Sequence, residues 1–106
     1  MLEFTALSDP TRRQILELLS RGERSAGQIA GAFDVSAPAI SQHLKVLREA
    51  NLVRVRVDAQ RRIYAVEPEG FAAIDAWLER VRRFWGARLD DLERELGAAP
   101  KKRRKR

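Results

Sequence analysis

Apolar residues recur along the first half of the chain at the three-and-four spacing of helices. Asp9-Pro10 reads as a helix start: a capping carboxylate, then proline at the first helical position. Ile15, Leu16, Leu18 and Leu19 form the apolar side of a helix running to about Ser20, and Arg21-Gly22-Glu23 ends it. Ser25 caps the next helix. Gln28, three residues on, completes a capping box, and Ile29, Ala30 and Phe33 face inward. Asp34-Val35 makes a turn. Ser36 then caps a third helix to about Ala50, with Ala37, Ile40, Leu44 and Leu47 apolar and Ser41, Gln42, Lys45 and Arg48 on its other face. Asp34 and Asn51 stand where a left-handed backbone is expected, and Asp and Asn adopt it more readily than other non-glycine residues. Ahead of all this, residues 1–7 are a short apolar-rich segment with Leu2, Phe4 and Leu7.

The period then falls to two. Val53, Val55 and Val57 alternate with Arg54, Arg56 and Asp58, Ala59-Gln60 marks a turn, and Arg61 to Val66 returns with Tyr64 and Val66 on one face. This predicts a β-hairpin with arginines on both arms. Pro68 opens a last helix to about Leu96, whose stripe is Phe71, Ile74, Leu78, Val81, Trp85, Leu89, Leu92 and Leu96, widened by Trp77 and Phe84. Such a helix, about 29 residues, is ~43 Å long at the α-helical rise. The small domain before it cannot cover the whole stripe, so the rest needs another chain. We expect a homodimer, with Leu2, Phe4, Leu78, Val81, Trp85, Leu89 and Leu92 at its interface and the N-terminal segment packed on the same helix. Trp77, Phe84 and Trp85 fit a core better than a ligand pocket. Gly86 inside the helix costs ~1 kcal/mol against alanine, without an evident reason. The domain so defined spans residues 1–97. Ala98-Ala99-Pro100 breaks the helix, and residues 98–106 form a basic tail expected to be disordered when free.

Composition changes this picture in three places. The net charge of +6 lies wholly in Lys101–Arg106, because the remaining 15 basic residues face 15 acidic ones. Overall charge is therefore weak evidence for nucleic acid, and the placement of the body's arginines matters more. The tail itself has three readings: salt-sensitive affinity for DNA through counterion release, a solubilising end, or a nuclear-localisation signal in a eukaryotic host. There is no cysteine, which excludes disulfides and thiolate metal sites and fits a reducing compartment. No apolar run approaches the ~20 residues of a membrane span, and the first residues lack the pattern of a signal peptide. A cytoplasmic protein is expected. No acid–base pair, phosphate-cradling glycine loop or nucleophile triad stands out, so no catalytic residue is assigned and no enzyme activity or cofactor is expected.

Two capped helices on a tight turn, followed by an arginine-bearing hairpin, suit insertion of the second helix into a DNA major groove. Ser36, Ala37 and Pro38 would bring a helix N-terminus near phosphate. Ala39, Ser41, Gln42 and Lys45 are placed to reach base edges or nearby phosphates, glutamine pairing with adenine and lysine with guanine acceptors. Arg54, Arg56, Gln60, Arg61 and Arg62 form a wing suited to phosphate or a narrow minor groove, although charge on an edge hairpin also protects against aggregation. His43, the only histidine, has two readings: a phosphate contact or a hydrogen bond within the motif. A rival to DNA binding is a protein-interaction module in which the long last helix recruits a partner.

The motifs Leu7-Ser8-Asp9-Pro10-Thr11-Arg12-Arg13-x-Ile15-Leu16, Ser36-x-x-x-x-Ser41-x-His43-Leu44-x-x-Leu47 and Leu52-Val53 resemble, in this order, the ArsR family of bacterial winged-helix repressors. The resemblance covers about residues 2 to 97. It implies a mainly α fold with a small β-hairpin, a winged helix-turn-helix dimerising through its terminal helices, and a repressor that binds double-stranded DNA at a palindromic operator. It also places His43 in a shared Ser-x-His-Leu motif, which favours a mixed structural and phosphate role. Two departures stand out. Asp34 and Asn51 replace frequent glycines with tolerable substitutes. Metal-sensing members carry a Cys-x-Cys motif before the turn, where this chain has Gln28-Ile29-Ala30-Gly31-Ala32-Phe33-Asp34; other members carry Asp and His ligands on the last helix, where this chain has Asp75 and no histidine. One histidine and no cysteine cannot build a tetrahedral transition-metal site in one chain. Neither the operator nor any small-molecule effector can be read from the sequence.

Overall fold

A computed structural model describes residues 2–97, so the basic tail lies outside the described residues. It contains helices α1 (Leu2–Leu7), α2 (Pro10–Leu19), α3 (Ala26–Gly31), α4 (Ala37–Glu49) and α5 (Pro68–Glu95), and strands β1 (Arg24–Ser25), β2 (Val53–Asp58) and β3 (Arg61–Val66). The chain divides into two compact units, residues 1–74 and residues 75–106.

In the first unit, three side-chain caps set the helix starts. Asp9 accepts from the Arg12 backbone N–H at 3.0 Å, and Pro10 follows it. Ser25 and Gln28 form a reciprocal capping box, at 3.1 and 2.8 Å. Ser36 accepts from the Ala39 N–H at 3.2 Å. Each cap satisfies a first-turn donor that has no helical partner. At the far end of α4, Leu52 N–H donates to the Leu47 carbonyl and Asn51 N–H to the Arg48 carbonyl, both at 3.0 Å. With Asn51 at φ 61° this is a Schellman stop.

The core joins Ile15, Leu16 and Leu19 of α2, Ile29 of α3, Ile40, Leu44 and Leu47 of α4, and Leu52, Val53 and Tyr64 of the hairpin. Ala6 of α1 is fully buried in it, and Phe71 and Ile74 of α5 pack against it. Gly70 is where the first turn of α5 meets the end of α4. Its N–H donates to the Asn51 carbonyl at 3.0 Å, and a Cβ there would lie 2.4 Å from that oxygen.

Several expectations need correction. Residues 2–7 are a helix, and α1 packs on α2 and α4. The hairpin belongs to a three-stranded antiparallel sheet in the order β1-β3-β2, so β3 is central. Consequently Ile63 is buried as well as Tyr64. The alternation of β2 decays outward: Val53 is buried, while Val57 near the tip is exposed. Ala37 is exposed rather than apolar core. Among non-glycine residues with positive φ, Asn51 is present but Asp34 is not, and its place is taken by Ala59 at φ 60° in the hairpin turn. The two-residue link between paired Asp58 and Arg61 demands that conformation.

In the second unit, α5 carries Trp77, Phe84, Trp85, Leu89 and Leu92 with substantial exposure. Leu78 and Val81 are half-buried. Phe84 and Trp85 meet edge to face at 5.2 Å, and the Arg88 guanidinium lies 4.7 Å from the Phe84 ring centre. The helix stops at Gly97, at φ 71°, ahead of the Ala98-Ala99-Pro100 expected to break it.

Candidate nucleic-acid interface

Helix α4 buries Ile40, Leu44 and Leu47, which turns the opposite side outward. Ser36, Ala37, Pro38, Ser41, Gln42 and Lys45 are exposed; Ala39 is half-buried at the edge of that surface. Ser36 caps the Ala39 N–H and Pro38 has none to offer, so what the exposed first turn of α4 presents to an anion is chiefly the positive end of the helix dipole.

His43 is placed differently. Its side chain is 20% exposed, with Nδ1 3.3 Å from Arg12 Nη1 and 3.9 Å from Asp9 Oδ2. The side chain thus meets Arg12 of α2, the helix that precedes the two joined by the turn.

The wing arginines do not form one group. The β2–β3 register pairs Arg54 with Ala65, Arg56 with Ile63, Val57 with Arg62 and Asp58 with Arg61. Side chains alternate across a strand, so Arg54, Arg56 and Arg61 share one face and Arg62 lies on the other, with Val55 and Tyr64. The first three sit beside acids. Arg54 lies 3.7 Å from Glu67, Arg56 is hydrogen-bonded to Glu23, and Arg56 and Arg61 both lie 4.0 Å from Asp58. The Glu23 hydrogen bond raises the Arg56 pKa above its ordinary value. Gln60 is exposed at the tip.

Arg62 instead reaches over a cleft of about 540 Å³ shared with α4. Its walls are Ala26, Ser41, Lys45, Arg48, Glu49, Arg62 and Tyr64. Among the described residues, Lys45, Arg48 and Arg62 make no ion pair, so three cations stand around one concave surface. Arg48 and Tyr64 were not singled out from the sequence as site residues. Their signal was available: Arg48 lies a helical turn beyond Lys45, and Tyr64 two residues beyond Arg62 on the same strand face.

A capped helix held on a turn by its predecessor, polar toward solvent and flanked by an antiparallel sheet that turns Arg62 toward it, defines a winged helix-turn-helix DNA-binding protein. Residues 9–55 match the bacterial regulatory protein, arsR family. The HTH-type transcriptional regulator Rv2034 of Mycobacterium tuberculosis is 48% identical over 82 residues, 77% of this chain and 74% of its own length. The transcriptional repressor SdpR of Bacillus subtilis is 52% identical over 50 residues, 47% of this chain and 56% of its own. Among solved structures, the ArsR family transcriptional regulator RHA00566 superposes with a TM-score of 0.75 at 35% identity, covering 80% of this chain and 88% of that one. The chain belongs to the ArsR family: it is a DNA-binding transcriptional regulator of a repressor family, not an enzyme. No helix among the described residues is long and apolar enough to cross a membrane.

Proposed function

We propose that the protein is a homodimeric repressor whose two α4 helices read a palindromic operator. The observation that carries this is the cleft beside α4, where Lys45, Arg48 and Arg62 have no acidic partner among the described residues while Ser41 and Gln42 stand exposed next to them. In this reading Ser36, Ala37, Pro38 and Ala39 approach phosphate, and Ser41, Gln42 and Lys45 meet base edges. His43 braces the helix from behind. Arg62 reaches the adjoining backbone, with Arg54, Arg56, Gln60 and Arg61 at the periphery. Residues 1–97 act as one DNA-binding and pairing domain.

Trp85, Leu89 and Leu92 are each about half exposed, at 53, 55 and 48%, and recur every three or four residues along α5. A soluble chain rarely leaves such a stripe open to water. With Leu78 and Val81 before them, and Leu2 and Phe4 from α1, they supply the contact surface for a second copy. A twofold pair then presents its half-sites about 34–36 Å apart, or at a multiple of that.

Metal sensing is not part of this reading. The chain has no cysteine, and its one histidine already faces Arg12 and Asp9. The protein acts in the bacterial cytoplasm, on the chromosome. Selection of bound duplexes from a random DNA pool, combined with sedimentation of the free protein, tests the whole proposal. A palindromic consensus and a dimer are the expected results. A monomer that enriches no sequence overturns it.

A further inference from the structure

The start of α2 holds a polar network that the outward surface of α4 does not use. The Arg12 guanidinium reaches in three directions. Its Nε donates to the Ala6 carbonyl at 2.7 Å and its Nη2 to the Thr5 carbonyl at 3.2 Å; its Nη1 lies 3.3 Å from His43 Nδ1. Thr5 and Ala6 lie toward the end of α1, and the Thr5 carbonyl also accepts the Ser8 N–H at 3.2 Å and the Ser8 hydroxyl at 2.7 Å. Arg13 adds a bond to the Leu7 carbonyl at 2.7 Å. Thus α1, a helix of only six residues, is fastened at its end by two arginines of α2. Asp9 stands behind the network, accepting the Arg12 backbone N–H, which holds its carboxyl below the ordinary carboxylate value.

A guanidinium has donors only, so in the Arg12 contact Nδ1 accepts and the ring proton sits on Nε2, against the competing pull of the Asp9 carboxylate 3.9 Å from the same nitrogen. We propose that Arg12 is a positioning residue: it couples α1 to the DNA-reading helix α4 and fixes the His43 tautomer. Lysine cannot replace it, because a single ammonium cannot span the Thr5 and Ala6 carbonyls and the imidazole as a planar fork does. Since α1 also carries Leu2 and Phe4, a displacement of α1 when two chains pair reaches α4 through this side chain as well as through the direct packing of the two helices. The consequence for DNA rests on the reading of α4 given above; the coupling itself does not.

The test uses the full chain, with two kinds of readout. In the protein alone, imidazole ¹⁵N shifts report the His43 tautomer and amide exchange at Ala6 and Leu7 reports α1. With DNA, fluorescence anisotropy on a duplex selected from a random pool reports affinity. Arg12→Lys is expected to shift the His43 ring signals, to speed α1 exchange, and to weaken DNA binding about tenfold, within the usual range of coupling between touching residues. Adding His43→Leu to Arg12→Lys should cost little more than Arg12→Lys alone, because both break one link. His43→Gln, which keeps an acceptor facing Arg12, should retain slow α1 exchange where His43→Leu does not; this pair decides the matter even if Arg12 variants unfold. Unchanged ring signals and α1 exchange in Arg12→Lys, or fully additive losses at the two positions, overturn the proposal. Coupling in the free protein without any selectable DNA sequence would leave Arg12 its positioning role and sink the repressor reading instead.

Discussion

Two arginine-bearing surfaces share one hairpin and differ in what already stands beside them. On the outer face, Arg54, Arg56 and Arg61 lie next to Glu67, Glu23 and Asp58. On the inner face, Arg62 joins Lys45 and Arg48 around a cleft whose one acidic residue, Glu49, pairs with none of them. An arginine with a local carboxylate must give up that partner, or share it, before it can neutralise a phosphate. An unpaired one releases only solvent and counterions. Counting arginines in a wing therefore overstates its readiness for DNA, and the face on which each lies is the better guide.

The sharpest test of the comparison is the helix that borders the inner face. Gln42→Ala combined with Lys45→Ala should cost about 1–3 kcal/mol for each base edge no longer read and flatten the preference at those operator positions, measured by competition among variant duplexes. Unchanged specificity would move the reading face elsewhere. Next, Arg62→Ala should weaken binding to all sequences alike and lower the slope of log affinity against log salt by about 1, the signature of one phosphate neutralised. Arg56→Ala should lower it by less, and equal slopes for the two variants would erase the distinction between the faces.

Smaller effects probe the scaffold under both surfaces. Ala59→Gly should stabilise the fold by about 1 kcal/mol in chemical denaturation, since a Cβ at φ 60° is strained and glycine is not, while specificity set by α4 stays unchanged. Finally, Asp9 gives a pH dependence whose sign is fixed. Its carboxyl is lowered in the folded chain, chiefly by the Arg12 N–H. Its contribution is therefore complete above the ordinary value near 3.9 and fades as pH falls through the folded value. Asp9→Asn, which keeps a capping oxygen, should flatten the acid limb of a stability profile below about pH 4.

What the sequence made legible follows from how local each determinant is. Asp9, Ser25 and Ser36 cap because a side-chain oxygen reaches an amide three residues away, and spacing alone reveals that. Asn51 could be read for the same reason. Asp34 could not, because nothing nearby forces its backbone left-handed. Strand β1, only two residues long, has no period to detect, and without it the burial of Ile63 has no cause. The division of the arginines between faces was available in the hairpin register, since a two-residue link pairing Asp58 with Arg61 sends Arg62 opposite to Arg54 and Arg56. The pairing of Arg56 with Glu23 was not, because that residue arrives from a distant part of the chain. The three-way grip of Arg12 was hidden likewise, as it depends on α1 and α4 meeting in space.

The close approach at Gly70 has a consequence for how this protein can change. The chain leaves α4 at Asn51 and comes back to the same carbonyl at Gly70, and just inside that point Glu67 N–H meets the Leu52 carbonyl at 2.9 Å. The wing is thus clasped at its root, like a loop of ribbon pinned twice. Its outer part, from Arg56 to Arg62, can lengthen, shorten or exchange its charges in descendants or in designed variants, while the reading helix and the start of the long helix keep their places.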